Sequence, residues 1–384
     1  MPECLNRVSL GTSNQAGGRT QSFRSVYALV TMPDFLLYGA YGYTGRLIAA
    51  AAKDYQLTPL LAGRDAARLQ PLAAEFGYDY LDFDLENSVS LDAALAKVPL
   101  VLHAAGPFAI TAEPMLEACL RTGTHYLDIT GEIEVFARAA RLDERAREAG
   151  IMLMSGVGFD VVPTDCLAAF LKEQLPDATD LKLAFAWNKG GLSHGTAKTM
   201  LRGLGRSGAV RRDGKIIPVP PAYKVAKFPF TADRTMKAVT IPWGDVFTAY
   251  HTTGIPNIET YYAVPSKQIR AMKWSRYLGW LFQAGPVQNF LRKRIEARPA
   301  GPNAEQRGRA ETYVYGEVSN ENGERVAARL RTPEGYTLTY RTALEIARRV
   351  VGGAAPAGYH TPAGVFGGDF VLGFAGVTRE LVSL

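Results

Sequence analysis

The feature that most constrains this chain is a glycine-spaced turn set between a buried strand and a helix. Gly39-Ala40-Tyr41-Gly42-Tyr43-Thr44-Gly45 directly follows the apolar run Phe35-Leu36-Leu37-Tyr38. In such a turn the first glycine permits the sharp exit from the strand and the second lets backbone approach a phosphate. The third lets the helix pack closely on the sheet. The helix start then offers unpaired amides and a positive dipole end to an anion. Gly39, Tyr41, Gly42, Tyr43, Thr44 and Gly45 are therefore expected to hold a dinucleotide. A lone G-x-x-G-x-x-G spacing also fits a ligand-free strand–helix turn. The context selects between them, with a strand before, a helix after and a second strand at the right distance.

Apolar runs at 57–62, 79–85, 100–105, 125–129 and 151–155 continue the series, alternating with helical patterns at 45–53, 66–76, 90–97, 113–121 and 133–148. Apolar strands alternating with amphipathic helices specify a parallel sheet covered on both faces. Past residue 157 the texture changes to longer strands and hairpin signals, with Asp213-Gly214 and Asn322-Gly323 each between strand candidates. A helical pattern follows at 340–351. The expected class is α/β: a Rossmann doubly wound parallel sheet over 32–157, then an α+β domain with a largely antiparallel sheet over 158–352. The latter would carry the substrate site and any dimer contact.

The end of the second strand reads the cofactor's ribose. NAD sites place Asp or Glu there, about 20 residues past the glycines; this chain has Arg64. A guanidinium can pair a 2′-phosphate bidentately and stack on adenine. Asp65 follows at once, and Arg64 also reads as a solvated helix-start residue. NADP is the expected cofactor, with NAD second. Ligands in such sheets lie outside the carboxyl ends of the strands, so Asp84, Ala105, Gly106 and Asp128 are expected to line the same crevice. Asp128 reads equally as a helix N-cap.

At 384 residues, 47% hydrophobic and 21% charged, the chain has the balance of a folded two-domain protein. Cys4, Cys119 and Cys166 are too few for a disulfide framework or a zinc cluster, which fits a reducing, cytoplasmic setting. Cys119 and Cys166 fall on apolar helical patterns and read as buried thiols. The net charge of +6 is not gathered on any nucleic-acid module, so no nucleic-acid partner is expected. The histidines and cysteines show no metal-ligand spacing. No stretch of about 20 apolar residues would span a bilayer. Residues 1–31 are polar, with Arg7, Arg19 and Arg24 against Glu3. They read as a disordered extension or a stretch ahead of a natural start at Met32, with a transit peptide as the alternative.

One segment stands apart. Residues 267–298 hold Lys267, Arg270, Lys273, Arg276, Arg292, Lys293, Arg294 and Arg298 against Glu296, interleaved with Trp274, Tyr277, Leu278, Trp280, Leu281 and Phe282. Three readings stand: helices packed on the sheet with a solvated basic face, a peripheral membrane or lipid contact, or a homodimer contact. Gly285-Pro286 is expected to break it into two helices.

Taken together, YGAYGYTG at 38–45, AGRD at 62–65, AAGPF at 104–108 and HYLDITGE at 125–132 resemble the saccharopine dehydrogenase-like family. GVGFDVVPTD at 156–165, SHGT at 193–196 with Thr199-Met200, Gly301-Pro302 leading to Arg307, and TPAGVFG at 361–367 are similar to its trans-acting enoyl reductase branch. The resemblance covers the chain from about Asp34 onward. It implies a C-terminal segment, 353–384, returning to the Rossmann domain, and NAD(P)-dependent oxidoreductase chemistry. For the branch, it implies reduction of a carbon–carbon double bond on a lipid or polyketide-like substrate; a saccharopine dehydrogenase-type C–N oxidoreductase on an amino-acid conjugate and a non-catalytic nucleotide-binding, membrane-associated protein are the alternatives. No arginine-rich constellation suits a substrate bearing several carboxylates. Such chemistry needs a proton donor beside the nicotinamide. Tyr43, Asp160, His194 and Lys198 are the candidates. His194 reads more plainly as an exposed or capping residue, and Asp165 as the N-cap of a helix over 166–173.

Overall fold

The computed structural model describes residues 32–188, 191–275, 277 and 279–384; the extension expected over 1–31 lies outside them. Six short strands build the first sheet: β1 (Phe35–Tyr38), β2 (Pro59–Gly63), β3 (Tyr80–Asp82), β4 (Leu100–His103), β5 (His125–Asp128) and β6 (Met152–Met154). All pair in parallel, in the order β3-β2-β1-β4-β5-β6. Alternation on β1 explains why a strand of four residues is enough. Phe35 and Leu37 enter one apolar core and Leu36 and Tyr38 enter the other, all four buried. Each such side chain contributes about 1.5–3 kcal/mol on burial. The order reverses between β1 and β4, which is where an open α/β sheet leaves its ligand crevice.

The second sheet takes β7 (Asp180–Trp187), β8 (Gly208–Arg212), β9 (Lys215–Val219), β10 (Val225–Pro229), β11 (Thr235–Thr240), β12 (Asn257–Ala263), β13 (Glu311–Ser319) and β14 (Arg325–Pro333). Its pairings are antiparallel except for β12 with β7. The β8–β9 hairpin turns on Asp213 (φ 47°) and Gly214 (φ 74°), the left-handed pair that an Asp-Gly turn requires. A helix over Val162–Gln174 lies so close on β13 that a Cβ at Gly316 would stand 2.7 Å from Leu171 Cδ1. The α/β class with one parallel and one largely antiparallel sheet is as the sequence led us to expect.

The C-terminal stretch divides between the sheets. β15 (Gly358–Tyr359) adds to the parallel sheet beside β6, whereas β16 (Thr378–Val382) pairs antiparallel with β14 in the other. Several helices depart from their sequence patterns. The pattern over 133–148 is two helices, Ile133–Arg141 and Asp143–Glu148, because Asp143 turns out to accept from the Tyr359 amide of β15. The helix expected at 340–351 begins earlier, as Gly335–Val351. The basic segment forms three helices rather than two, Ser266–Ser275, Gly279–Gln283 and Gly285–Glu296. Among the described residues, no helix is long and apolar enough to cross a membrane, and no His, Cys, Asp and Glu group could hold a metal ion. Cys119 and Cys166 are buried, and burial pushes both thiols up.

Candidate functional site

The glycine turn is closed by backbone contact. Gly39 has φ +88°, and a Cβ there would stand 2.8 Å from the Ala105 amide nitrogen at the end of β4. A Cβ at Gly45 would stand 2.2 Å from the Gly39 carbonyl oxygen. Both positions exclude any side chain, so the helix Tyr43–Ala51 starts hard against the sheet at the β1–β4 reversal.

What happens at successive helix starts marks this one out. The helix after β2 is capped by Asp65, whose Oδ1 accepts from the Arg68 amide at 3.3 Å. The helix after β3 is capped by Asn87. The helix Phe108–Thr122 after β4 has its first amides taken by Glu132, whose carboxylate accepts from Phe108 and Ala109 at 3.1 and 2.9 Å. The helix after β1 has no side-chain cap and no acidic residue in its first turn. Its amides and dipole are left for an external anion.

Around it, Tyr41 lies over the end of β2, so close that a Cβ at Gly63 would stand 2.5 Å from its ring. The Arg68 guanidinium stacks 4.3 Å from the centre of the same ring. Arg64 is exposed at the strand end, and both it and Asp84 act electrostatically on the buried Tyr38 hydroxyl. Asp84 also accepts from the Glu86 amide at 3.0 Å. Ala105 and Gly106 run into a cis Gly106–Pro107 bond beside Phe108. Thr44 sits half-buried in the first helical turn.

One expected ligand, Asp128, and one expected N-cap, Asp165, are claimed by the fold. Asp128 is fully buried and is no helix N-cap, a place Glu132 takes. Its Oδ1 accepts from the amides of Thr130 and Gly156 at 2.9 and 2.8 Å, and Oδ2 from the Tyr126 hydroxyl at 2.8 Å. It thus ties the ends of β5 and β6 together, and burial pushes its carboxyl up to about 6 despite these bonds. Asp165 is no N-cap either: it lies inside the first turn of Val162–Gln174, accepting from Thr252 Oγ1 and from the Ala363 amide. A side chain missed in the sequence, His103, is buried at the end of β4. Thr111 Oγ1 donates to the Ala105 carbonyl, so it can only accept from His103 Nε2–H at 2.9 Å. Burial pushes this imidazole down to about 3 and keeps it neutral.

Beyond the strand ends a cavity opens between the two sheets, lined by Phe159, Asp160, Trp187, Trp243, Glu334 and Tyr336 among others. Asp160 follows β6, and its carboxylate presses on the chain after β5, where a Cβ at Gly131 would stand 2.8 Å from Oδ2. Burial, and next the Glu132 carboxylate, push Asp160 up to about 7. The helix Gly335–Val351 holds the Asp160 loop: Thr339 Oγ1 accepts from the Phe159 amide, and Thr342 Oγ1 donates to the Val157 carbonyl. Trp187 carries a buried indole N–H with no hydrogen-bond partner among the described residues.

The other candidates land elsewhere. Tyr43 is a link between the phosphate turn and the second half. Its hydroxyl donates to the Pro302 carbonyl at 2.5 Å and accepts from Arg307 at 3.0 Å, and its ring meets Tyr336 edge-on at 4.9 Å. His194 donates from Nε2 to the Arg298 carbonyl, and Lys198 pairs with Glu296. Both look toward the helix Gly285–Glu296, away from the cavity. From their helix it is Thr196 that reaches the lining, bonded to the Tyr336 hydroxyl at 2.9 Å.

A parallel sheet with this strand order, this uncapped helix and this crevice defines a Rossmann nicotinamide-dinucleotide-binding fold. Residues 35–154 match the family model described as Saccharopine dehydrogenase NADP binding domain, and the resemblance read from the motifs holds. The rat saccharopine dehydrogenase-like oxidoreductase is 26% identical over 240 residues, covering 54% of this chain and 56% of that one. The trans-acting enoyl reductase of Mycobacterium leprae (strain TN) is 34% identical over 140 residues, 34% of each chain. The matched stretches span about half or less of these curated relatives. The apo, histidine-tagged saccharopine dehydrogenase (L-Glu forming) from Saccharomyces cerevisiae superposes with a TM-score of 0.64 at 12% identity. That match covers 91% of this chain and 100% of that one, and it is a likeness of fold.

Proposed function

We propose that this protein is an NADPH-dependent oxidoreductase that reduces a carbon–carbon double bond conjugated to a carbonyl, on an uncharged, lipid-like substrate. The observation that carries this is the cavity wall: four aromatic residues, Asp160 and Glu334, and no Lys or Arg among the described lining residues. A substrate with several carboxylates would be desolvated there against two acids, with Arg307 acting on Glu334 from behind the wall. An amino-acid conjugate, as the family name suggests, is therefore the second reading. The similarity to proteins named trans-acting enoyl reductase supports the first.

Preference for NADP rests on Arg64. Asp65, the carboxylate that could serve a ribose diol, is engaged as a helix cap. Arg64, with Arg68 stacked on Tyr41 beside it, leaves the adenosine end of the crevice cationic.

NADPH, which the glycine turn at 39–45 and Arg64 would hold, would supply the hydride when bound. Asp160 holds the balancing proton, because a carboxyl raised to about 7 keeps a substantial protonated fraction at neutral pH and can deliver it to the adjacent carbon. The Trp187 N–H is the spare donor on the wall for the substrate carbonyl. Phe159 and Trp243 keep water from the reacting carbons.

The test is NADPH consumption, followed at its absorbance, with a long-chain α,β-unsaturated acyl thioester and, separately, with an amino-acid conjugate. Oxidation with the acyl substrate alone is expected. Turnover of the amino-acid conjugate alone would promote the second reading, and turnover of neither would end the enoyl proposal.

A further inference from the structure

The four tryptophans divide into two pairs. Trp187 and Trp243 line the cavity, whereas Trp274 and Trp280 are 69% and 74% exposed on the helices that follow β12. Tyr277 and Phe290, from the same segment, are 60% and 57% exposed. Large aromatics gathered within one short segment and held in water mark an interaction surface.

Contacts at several points anchor these helices to the body. Ile269 is buried among Ala222 and Val239 and fastens the first helix to the sheet. Gln283 and Gln288 donate to the carbonyls of Leu204 and Leu201 at the end of the helix His194–Gly203. Gly205 and Gly279 meet so closely that a Cβ at either would stand 2.8 Å from the other's carbonyl oxygen. The helix Gly285–Glu296 buries none of its residues. Helices anchored at these points hold Trp274, Trp280 and Phe290 exposed among the described residues.

Charge says which partner. Lys267, Arg270, Lys273, Arg292, Lys293 and Arg294 are all exposed around the aromatics. Glu296, the one acid of the segment, is already paired with Lys198 at 2.8 Å. A second copy of this chain packed by two-fold symmetry would set this patch against itself, and like charges repel. Tryptophan and tyrosine rings settle at the headgroup level of a bilayer, and basic side chains beside them are drawn to anionic lipid. We propose that residues 266–298 dock the protein on an anionic membrane surface, as a peripheral contact with the aromatics inserted at the headgroup level. The helix His194–Gly203 connects this surface to the cavity, since its Thr196 binds Tyr336 while its Lys198 binds Glu296. Docking would thus set the cavity beside a membrane.

The experiment is flotation of the full chain with vesicles of phosphatidylcholine alone and of phosphatidylcholine with phosphatidylserine. Flotation with the serine lipid only, a blue shift of tryptophan emission on binding, and release as salt rises are expected. Replacing the aromatics (Trp274→Ala, Trp280→Ala and Phe290→Ala together) should lower partitioning at least about tenfold, as should Arg292→Glu with Lys293→Glu and Arg294→Glu. Thermal melting checks that both variants stay folded; if one does not, the other decides. No flotation with either vesicle, or flotation unchanged in a folded variant, overturns the proposal. So does a dimer in sedimentation that the aromatic variant dissolves while vesicles bind nothing, or capture of an oligonucleotide in preference to vesicles. Flotation reads no turnover, so its outcome stands apart from that of the reductase assay.

Discussion

The phosphate turn and the cavity are built in opposite ways. The turn is made by one contiguous stretch, 38–45, whose shape is fixed by backbone in contact with backbone: Gly45 against the Gly39 carbonyl, Gly39 against Ala105. The cavity is gathered from six separate places, around residues 159, 187, 196, 243, 312 and 336, and its polar groups are set by side chains that meet from distant parts of the chain. The difference teaches that the phosphate turn is a local property here, whereas the proposed choice and protonation of a substrate depend on how the two sheets come together. The two should therefore fail separately.

The largest expected effect breaks the local half. Gly45→Val places side-chain carbon where even a Cβ would lie 2.2 Å from a carbonyl oxygen. The turn cannot relax without parting the helix from the sheet, and overpacking of this kind costs about 1–3 kcal/mol or more. NADPH binding, followed by the fluorescence of the nicotinamide, is expected to vanish and the melting temperature to fall. Binding retained at wild-type strength would show that the turn does not hold the cofactor.

The next variant spares the turn and strikes the cavity. Asp160→Asn keeps size and hydrogen bonding but has no proton to give, so kcat is expected to drop by about 10²–10⁴-fold with NADPH affinity unchanged. The sign of the pH dependence follows from burial. The carboxyl, raised to about 7, is the proton donor only while protonated, so the wild-type rate should fall as pH rises through about 7. The residual rate of the variant should lack that limb. A pH profile shared by both proteins would remove Asp160 from the reaction.

The same contrast decides what the sequence made legible. Strand β1, the glycine turn and the Asp213-Gly214 hairpin could be read because each is dictated by neighbours a few residues away. The cavity could not. Tyr336 and Glu334 precede the point where a helical pattern becomes visible; Glu334 caps the helix by accepting from the Thr337 amide, and Thr339 accepts from the Phe159 amide across the fold. His194 and Lys198 looked chemical as types, yet the helix they share turns them toward Arg298 and Glu296 and leaves Thr196 to face the cavity. Asp128 and Asp165 sit in motifs that read as ligands or caps, and the fold spends both on joining loops. Burial and register carried the missing information, and neither is local.

The smallest expected effect tests the edge of the local half, where a single charge is proposed to sort the cofactors. Arg64 is exposed, so removing it costs the fold little, and Arg64→Ala should melt as the wild type does. A hydrogen bond to a charged group contributes about 1.5–3 kcal/mol, which corresponds to about 10–100-fold in the Kd for NADPH. NADH, with a hydroxyl in place of the 2′-phosphate, should bind the variant as well as it binds the wild type. Arg68, already stacked on Tyr41, keeps one cation near the phosphate, and this places the expectation nearer the lower bound. An equal loss for both cofactors would mean that Arg64 supports the strand end and not the phosphate, and discrimination would then have to come from Arg68.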